Sequence, residues 1–170
     1  MIHVCGLIEC PISKVRIEVD EYVPLRFRSY DGLLGASYLR IGDFISSLLE
    51  FIVDPNSGAI RGINLTSFDS IHDFRTLYEI PSKLGYPTVE LSQEQLDGPP
   101  AARRLDIRQP FSVGFSSDTV EVDFGRLANA DRSIRCSVVE FFVETDMLVG
   151  LRITEVSKEQ LFLIQAQRAT

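Results

Sequence analysis

Residues 48–66 read LLEFIVDPNSGAIRGINLT, two apolar runs on either side of a turn. The first run, 48–53, is rich in the β-branched and aromatic residues that strands favour. The stretch DPNSG at 54–58 supplies turn chemistry, because Asp and Asn cap their own backbone, Pro presets φ and Gly accepts positive φ. The second run alternates in polarity, with a slip near Gly62. The pattern predicts a β-hairpin with a loop of about five residues.

The same order of residues returns at 138–154, which read VVEFFVETDMLVGLRIT. Glu140 takes the place of Glu50, and Gly150 takes the place of Gly62. The second turn is shorter and lacks the Pro and the Gly, as loops readily allow. We therefore expect two similar hairpins whose strands contribute to the core. Duplication of a β unit and a chance effect of β-rich composition both remain open as explanations.

Further segments alternate between apolar and polar residues, as half-buried strands do. They are KVRIEVDEYVPLRF at 14–27, PFSVGF at 110–115 and TVEVDF at 119–124. In the last of these, Val120 and Val122 would face the core, and Glu121 and Asp123 would face solvent. The sequence predicts a mainly β protein (β-rich α+β), an antiparallel sandwich or a partly open barrel with one or two short helices.

Helical signals are few. Residues 69–78, DSIHDFRTLY, place apolar side chains at helical spacing after a capping residue, Asp69 or Ser70, and predict a short helix. LSQEQL at 91–96 suggests a further helical turn with Ser92 as its cap. The tail from Ser157 fits either a helix or a strand.

The length of 170 residues suits one domain, residues 1–170. Two similar β-rich halves, at about 1–97 and 105–170, are an alternative organisation within it. The stretch DGPPAARR at 97–104 has the composition of a linker and would join the halves.

The formal net charge is −7. Phosphate affinity comes mostly from Lys and Arg, so nucleic acid is not an expected partner, whereas a basic protein is. No apolar run approaches the roughly 20 residues that span a bilayer, so no membrane partner is expected. The first residues, MIHVCGLIEC, lack a basic n-region and do not resemble a signal peptide. A cytoplasmic location is the expectation.

The three cysteines are Cys5, Cys10 and Cys136. One disulfide with one free thiol and three reduced thiols are both compatible with this count. Since disulfides are rare in cytosolic proteins, three reduced thiols are the favoured interpretation. No spacing typical of a metal site occurs, and neither a metal nor another cofactor is expected.

The chain offers few residues for catalysis. Only His3 and His72 could act as an imidazole base, and adjacent residues of a helix, such as His72 and Asp73, do not face each other. Glu50 and Glu140 hold equivalent places in the two hairpins and could form an acid–base pair if the halves packed about a twofold axis. Two solvent-facing carboxylates are the simpler interpretation, and no catalytic residue is predicted.

Acidic residues at outward positions suggest a docking surface for a basic protein, where opposite potentials speed encounter. A solvated acidic face is the alternative. The residues predicted to contact a partner are Asp69, Asp73, Asp118, Glu121, Asp123 and Asp131.

The segment 38–68, YLRIGDFISSLLEFIVDPNSGAIRGINLTSF, resembles stretches of bacterial immunity proteins from contact-dependent growth inhibition and related polymorphic toxin systems. The resemblance covers about a fifth of the chain and rests on the strand, Asp-Pro-x-x-Gly turn and alternating strand. It implies a non-enzymatic protein that binds one cognate toxin domain, often a basic nuclease, and covers its active site. The rival functions are a small-ligand-binding β domain, with the ligand between the two hairpins, and a hydrolase that uses Glu50 and Glu140.

Overall fold

A computed structural model describes residues 1–9, 15–20, 22–29, 35–74, 79–91, 96–99 and 103–168. Strands dominate this part of the chain, which confirms the mainly β prediction. The strands are β1 Val4–Ile8, β2 Arg16–Glu18, β3 Leu25–Arg28, β4 Ser37–Gly42, β5 Leu48–Val53, β6 Ile60–Ser67, β7 Ser82–Leu84, β8 Tyr86–Val89, β9 Arg103–Arg108, β10 Ser112–Phe115, β11 Val120–Asp123, β12 Arg132–Cys136, β13 Val139–Glu144 and β14 Met147–Ile153. A 3-10 turn at Leu127–Asn129 and one α-helix, α1 Lys158–Ala166, complete the described elements.

Two six-stranded sheets carry the fold. Sheet 1 has the order β2-β3-β6-β5-β4-β9, and sheet 2 has the order β10-β11-β14-β13-β12-β7. A separate pair joins β1 to β8. The pairings are antiparallel except for β4 with β9 and β12 with β7. The two sheets are open and do not close into a barrel. Of the two predicted architectures, the sandwich therefore fits the structure.

The repeated hairpins occupy equivalent places, each at the centre of its own sheet. Both hairpins carry a β-bulge two residues after the glutamate that they share, Glu50 or Glu140. The bulge lies between Ile52 and Val53 in sheet 1 and between Phe142 and Val143 in sheet 2. The three-stranded meander β4-β5-β6 therefore corresponds to β12-β13-β14, and the hairpin β2-β3 corresponds to β10-β11. The two copies share pairing and register as well as sequence.

The two halves of the chain are interlocked through their edge strands. β7 comes from the first half and pairs with β12 of sheet 2, whereas β9 pairs with β4 of sheet 1. The predicted linker at 97–104 takes part in this exchange, because Arg103 and Arg104 lie in β9 and Asp97 pairs with Arg104. Residues 100–102 lie outside the described part of the chain.

One apolar core lies between the sheets. Phe51 of sheet 1 and Phe141 of sheet 2 are fully buried in the same cluster, and the rings of Phe51 and Phe124 meet edge to face at 6.4 Å. Each buried side chain of this size contributes about 1.5–3 kcal/mol. Packed aromatic rings therefore occupy the space between the hairpins, where the alternative hypothesis of a small-ligand-binding domain places its ligand.

The connection from β6 to β7 crosses the outer face of sheet 2, and we call its described residues, 69–74 and 79–81, the crossing segment. Ile71 forms a bridge with Val113 of β10, and the carbonyl of Pro81 accepts from Ser133 N–H of β12 at 2.9 Å. The segment thus runs from one edge of the sheet towards the other. The helix predicted for 69–78 is wrong over 69–74, where the backbone is not helical. Residues 75–78 lie outside the described part.

The ambiguous tail forms α1. Ser157 accepts from Gln160 N–H, and the Gln160 side chain accepts in return from Ser157 N–H, which is a complete capping box. The helical turn predicted at 91–96 cannot be compared, because residues 92–95 lie outside the described part of the chain. Among the described residues no helix is both long enough and apolar enough to span a membrane.

Candidate functional site

A row of polar side chains crosses the outer face of each sheet. In sheet 2, cross-strand pairing places Glu121, Arg152, Glu140 and Arg135 side by side on β11, β14, β13 and β12. The equivalent row in sheet 1 is Arg26, Asn64, Glu50, Arg40 and Asp106. Opposite charges on neighbouring strands attract, so each row stabilises its sheet.

The crossing segment buries one end of the sheet 2 row. The side chain of Glu121 is 0% exposed, and its Oε2 accepts from Arg152 Nε and Nη2, both at 2.6 Å. The other oxygen, Oε1, contacts Nε2 of His72 at 2.9 Å. Two aromatic rings flank the Arg152 guanidinium, Phe74 at 4.8 Å and Phe142 at 5.1 Å. The buried carboxylate is thus paired on both oxygens, as a buried charge requires.

The hydrogen bonds of His72 follow from its neighbours. An ionised carboxylate can only accept a hydrogen bond. Nε2 of a neutral His72 therefore carries the ring proton and donates a hydrogen bond to Glu121. Nδ1 then accepts from the hydroxyl of Ser112, at 2.9 Å. The chain Ser112–His72–Glu121 has the donor order of a nucleophilic triad, with the two ring nitrogens exchanged.

Gly114 makes room for this imidazole. A Cβ built on Gly114 would lie 2.6 Å from Nε2 of His72, a distance that side chains do not tolerate. Gly114 stands directly opposite Glu121 in the β10–β11 pair. The absence of a side chain there therefore lets His72 reach the carboxylate. No local pattern could predict this cluster, because the partners of His72 on β10 and β11 lie 40 and 49 positions away from it in the chain.

Two of the predicted contact residues are buried, and the prediction that they face solvent is wrong. Glu121 is covered as described, and Asp123 is 2% exposed. Oδ1 of Asp123 accepts from Gly125 N–H at 2.7 Å and from Leu127 N–H at 2.9 Å, which caps the turn after β11. Alternation placed both residues correctly on the face away from the core. The crossing segment covers Glu121, and the turn after β11 encloses Asp123.

The other four predicted contact residues are accessible but do not form one patch. Asp73, Asp118 and Asp131 are exposed, and Asp69 is half-buried. Asp118 lies just before β11, at the end of sheet 2 where β14 ends. Asp131 lies at the opposite end, where it accepts from Thr145 N–H just before β14 begins. Seven residues of extended β14 separate these two ends, about 20 Å.

Glu50 and Glu140 do not form the acid–base pair of the hydrolase hypothesis. Each stands on the face of its own sheet that is turned away from the shared core, beside an arginine of the preceding strand. Glu50 lies 3.9 Å from Arg40, and Glu140 lies 3.1 Å from Arg135. Both glutamates belong to the outer rows, which explains why they recur in the two hairpins.

The loop between β4 and β5, residues 43–47, projects an apolar side chain into solvent. Oδ1 of Asp43 accepts from the N–H groups of Ile45, Ser46 and Ser47 at 2.8–2.9 Å. These bonds, first that from Ile45 N–H and then the Ser46 hydroxyl bond, hold the pKa of the Asp43 carboxyl far below its usual range. Ile45 is 93% exposed at the tip. A cleft of about 410 Å³ opens beside it, with Asp69, Arg108 and Phe111 in its walls.

The thiols differ from the favoured expectation. Cys136 is disulfide-bonded and Cys5 is a free thiol, so the alternative of one disulfide with a free cysteine applies, and three reduced thiols is wrong. Cys10 lies outside the described residues. Disulfides persist mainly in oxidising compartments, which removes support from the expected cytoplasmic location.

Comparison of the chain with known protein families and with curated proteins found no match.

Proposed function

We propose that this protein acts by binding another protein, as a non-enzymatic immunity protein that neutralises a basic toxin domain. The observation that carries the proposal is the surplus of acidic residues, a net charge of −7. Exposed carboxylates at Asp73, Asp118 and Asp131 distribute this charge over the surface. The resemblance of residues 38–68 to immunity proteins points the same way.

The mode of action follows from the charge. A toxin that binds RNA or DNA needs a positive active-site surface, because the phosphate backbone supplies most of the affinity. An acidic inhibitor is drawn to that surface faster than a neutral protein would be, and it competes there with nucleic acid. Association should therefore slow steeply as salt rises above the range in which surface charges are unscreened.

Co-expression tests the proposal. The probe is the protein encoded immediately upstream of this chain, expressed from an inducible promoter in a host that lacks both. We expect growth arrest that the present chain relieves, and a complex of the two purified proteins. A charge-reversal variant carries Asp73→Lys, Asp118→Lys and Asp131→Lys. It should associate with the upstream protein more slowly than the unaltered chain does at low salt. Growth arrest without relief, or relief without a complex, would overturn the proposal.

A second candidate function is serine-dependent acyl transfer, favoured by the hydrogen-bonded order of Ser112, His72 and Glu121. In that reaction His72 Nδ1 would take the Ser112 proton as the hydroxyl attacks an ester carbonyl, and would give it to the departing alcohol as the acyl-enzyme forms; water would then attack the acyl-enzyme and release the acid, with the proton returning to Ser112. A fluorophosphonate probe discriminates between the candidates. Labelling that Ser112→Ala and His72→Gln both abolish would support the enzyme, and an unlabelled wild-type protein would remove it.

A further inference from the structure

Strand β9 ends sheet 1, and part of its outer edge is open. One side of β9 pairs with β4, and no strand of the sheet lies on its other side. Asp97 covers that side at one point, where it exchanges two backbone hydrogen bonds with Arg104, both at 2.8 Å. Backbone groups alternate in direction along a strand, so those of Asp106 and Arg108 point the same way as those of Arg104. Among the described residues none bonds to them, which leaves 106–108 open to another strand.

The side chains of β9 differ between its two faces. Arg104, Asp106 and Arg108 are exposed on the outer face, whereas Leu105 and Ile107 pack against the core. On the core side a cleft of about 280 Å³ opens, and its wall combines Leu105 and Ile107 with apolar side chains of β4 and the first residues of the chain. A strand added to β9 therefore meets charges on one face and an apolar cleft on the other.

The charges of the outer face are complementary to those of a second β9. In an antiparallel pair centred on Ile107, Asp106 of each copy stands directly opposite Arg108 of the other, and opposite charges in such cross-strand pairs attract. These residues then exchange both of their backbone hydrogen bonds across the pair. Asp106 contacts Arg40 through Oδ1, at 3.3 Å, so its Oδ2 can accept from the second copy. The two Ile107 side chains meet on the core side, where the clefts adjoin.

The neighbouring registers are unfavourable. A pair centred on Asp106 sets Asp106 against Asp106 and Arg104 against Arg108, and like charges directly opposite are destabilising. A pair centred on Leu105 needs the backbone groups of Arg104, which Asp97 already holds. In the register centred on Ile107, the position opposite Arg104 lies beyond the end of β9, so no strand residue of the second copy competes with Asp97. The charge order of the strand therefore selects one register.

We propose that the open edge of β9 recognises a second copy of this chain and forms a twofold-symmetric dimer. The two β9 strands pair around Ile107, and sheet 1 continues from one molecule into the next. The same residues serve both copies, so every contact occurs twice. A pairing this short belongs to the weak, reversible class of interfaces. Dimer formation goes beyond the proposed function and is independent of it, because it involves no other protein.

Sedimentation over a series of protein concentrations tests the dimer, and three variants test its register. The unaltered chain should dimerise reversibly. Arg108→Asp places carboxylates opposite each other twice in the dimer and should weaken it at least about 10-fold. Asp106→Arg combined with Arg108→Asp restores opposite charges across the pair and should recover most of the lost affinity. Arg104→Asp is the matched control: it makes the same change of charge on the same face, opposite no strand residue, and should leave the dimer intact.

Amide hydrogen exchange on the unaltered chain tests the edge without relying on the folding of any variant. The amide of Ile107 points towards β4 and should be protected at every concentration, whereas the amides of Asp106 and Arg108 should gain protection only as the dimer forms. Protection of these two amides in the monomer would overturn the proposal, because the edge would then be covered within one chain. A chain that stays monomeric would also overturn it, as would equal effects of Arg108→Asp and Arg104→Asp, or a double variant as weak as Arg108→Asp.

Discussion

Removal of the Glu121 carboxylate should destabilise the protein far more than removal of its neighbour in the same row. In Glu121→Ala, Arg152 keeps its charge beneath the crossing segment and loses the carboxylate oxygen that its Nε and Nη2 both contact at 2.6 Å. His72 loses the acceptor of its Nε2–H as well. Nothing in the substituted side chain can replace these bonds, so the cost is that of removing one partner of a buried ion pair.

The magnitude follows from burial. Breaking one partner of a buried ion pair costs about 3–5 kcal/mol. Arg152 remains 16% exposed, so some water can reach it and the lower end applies, about 3 kcal/mol. For a chain of this size that corresponds to a decrease in Tm of about 6–12 °C. Glu140→Ala is the comparison: its partner Arg135 is 54% exposed and returns to water, but the buried Ser133 hydroxyl loses its 2.7 Å bond to Glu140, so the cost should be about 1–2 kcal/mol.

Urea unfolding at neutral pH, followed by circular dichroism, measures both variants. A third protein, Glu121→Leu with Arg152→Met, removes both charges, and it should be more stable than Glu121→Ala because apolar residues of similar volume replace the pair. Equal costs for Glu121→Ala and Glu140→Ala would refute the structural reasoning. So would a double variant that is no more stable than Glu121→Ala.

Three further predictions use the same unfolding or labelling assays. Gly150→Ala should cost more stability than the equivalent Gly62→Ala, because a Cβ at Gly150 meets the Val122 carbonyl oxygen at 2.6 Å, whereas at Gly62 the nearest atom is a flexible side-chain carbon at 3.0 Å; similar costs would contradict this. Asp43 has a lowered pKa in the folded state, so its contribution is complete above the unfolded value of about 3.9 and is lost as the pH falls below it. Asp43→Asn should therefore destabilise at pH 7, by an amount that shrinks towards pH 3, and a difference that grows in acid would count against it. Iodoacetamide treatment of the protein unfolded in urea without reductant, followed by mass spectrometry, should modify Cys5 and leave Cys136 unmodified, and alkylated Cys136 would restore the expectation of reduced thiols.

Local patterns predicted the hairpins because apolar, β-branched and aromatic runs stand on either side of a turn in both copies. Glu121 shows that such patterns do not predict which outer-face residues another segment covers. Its alternation with Val120 and Val122 correctly gave a position on the outer face, but the face is covered by residues that follow β6, about 50 positions earlier. Phe74 is instructive as well: its spacing from Ile71 suited a helix, whereas in the structure both side chains lie along an extended crossing of sheet 2. Which face a connection covers depends on strand order, and strand order is not encoded in the local period.

The two copies of the β unit differ most where the fold is least demanding. Both keep the central glutamate, its arginine partner, the bulge and the glycine, because those features set register and twist in each sheet. In sheet 2 the crossing segment buries one end of the outer row, where Glu121 and Arg152 pair. Sheet 1 keeps its outer row half-exposed and adds three residues to the β4–β5 loop. That loop leaves Ile45 93% exposed. The shared hairpin is therefore the part of the repeat that the fold requires, and the cover of sheet 2 and the loop of sheet 1 are where the two copies differ.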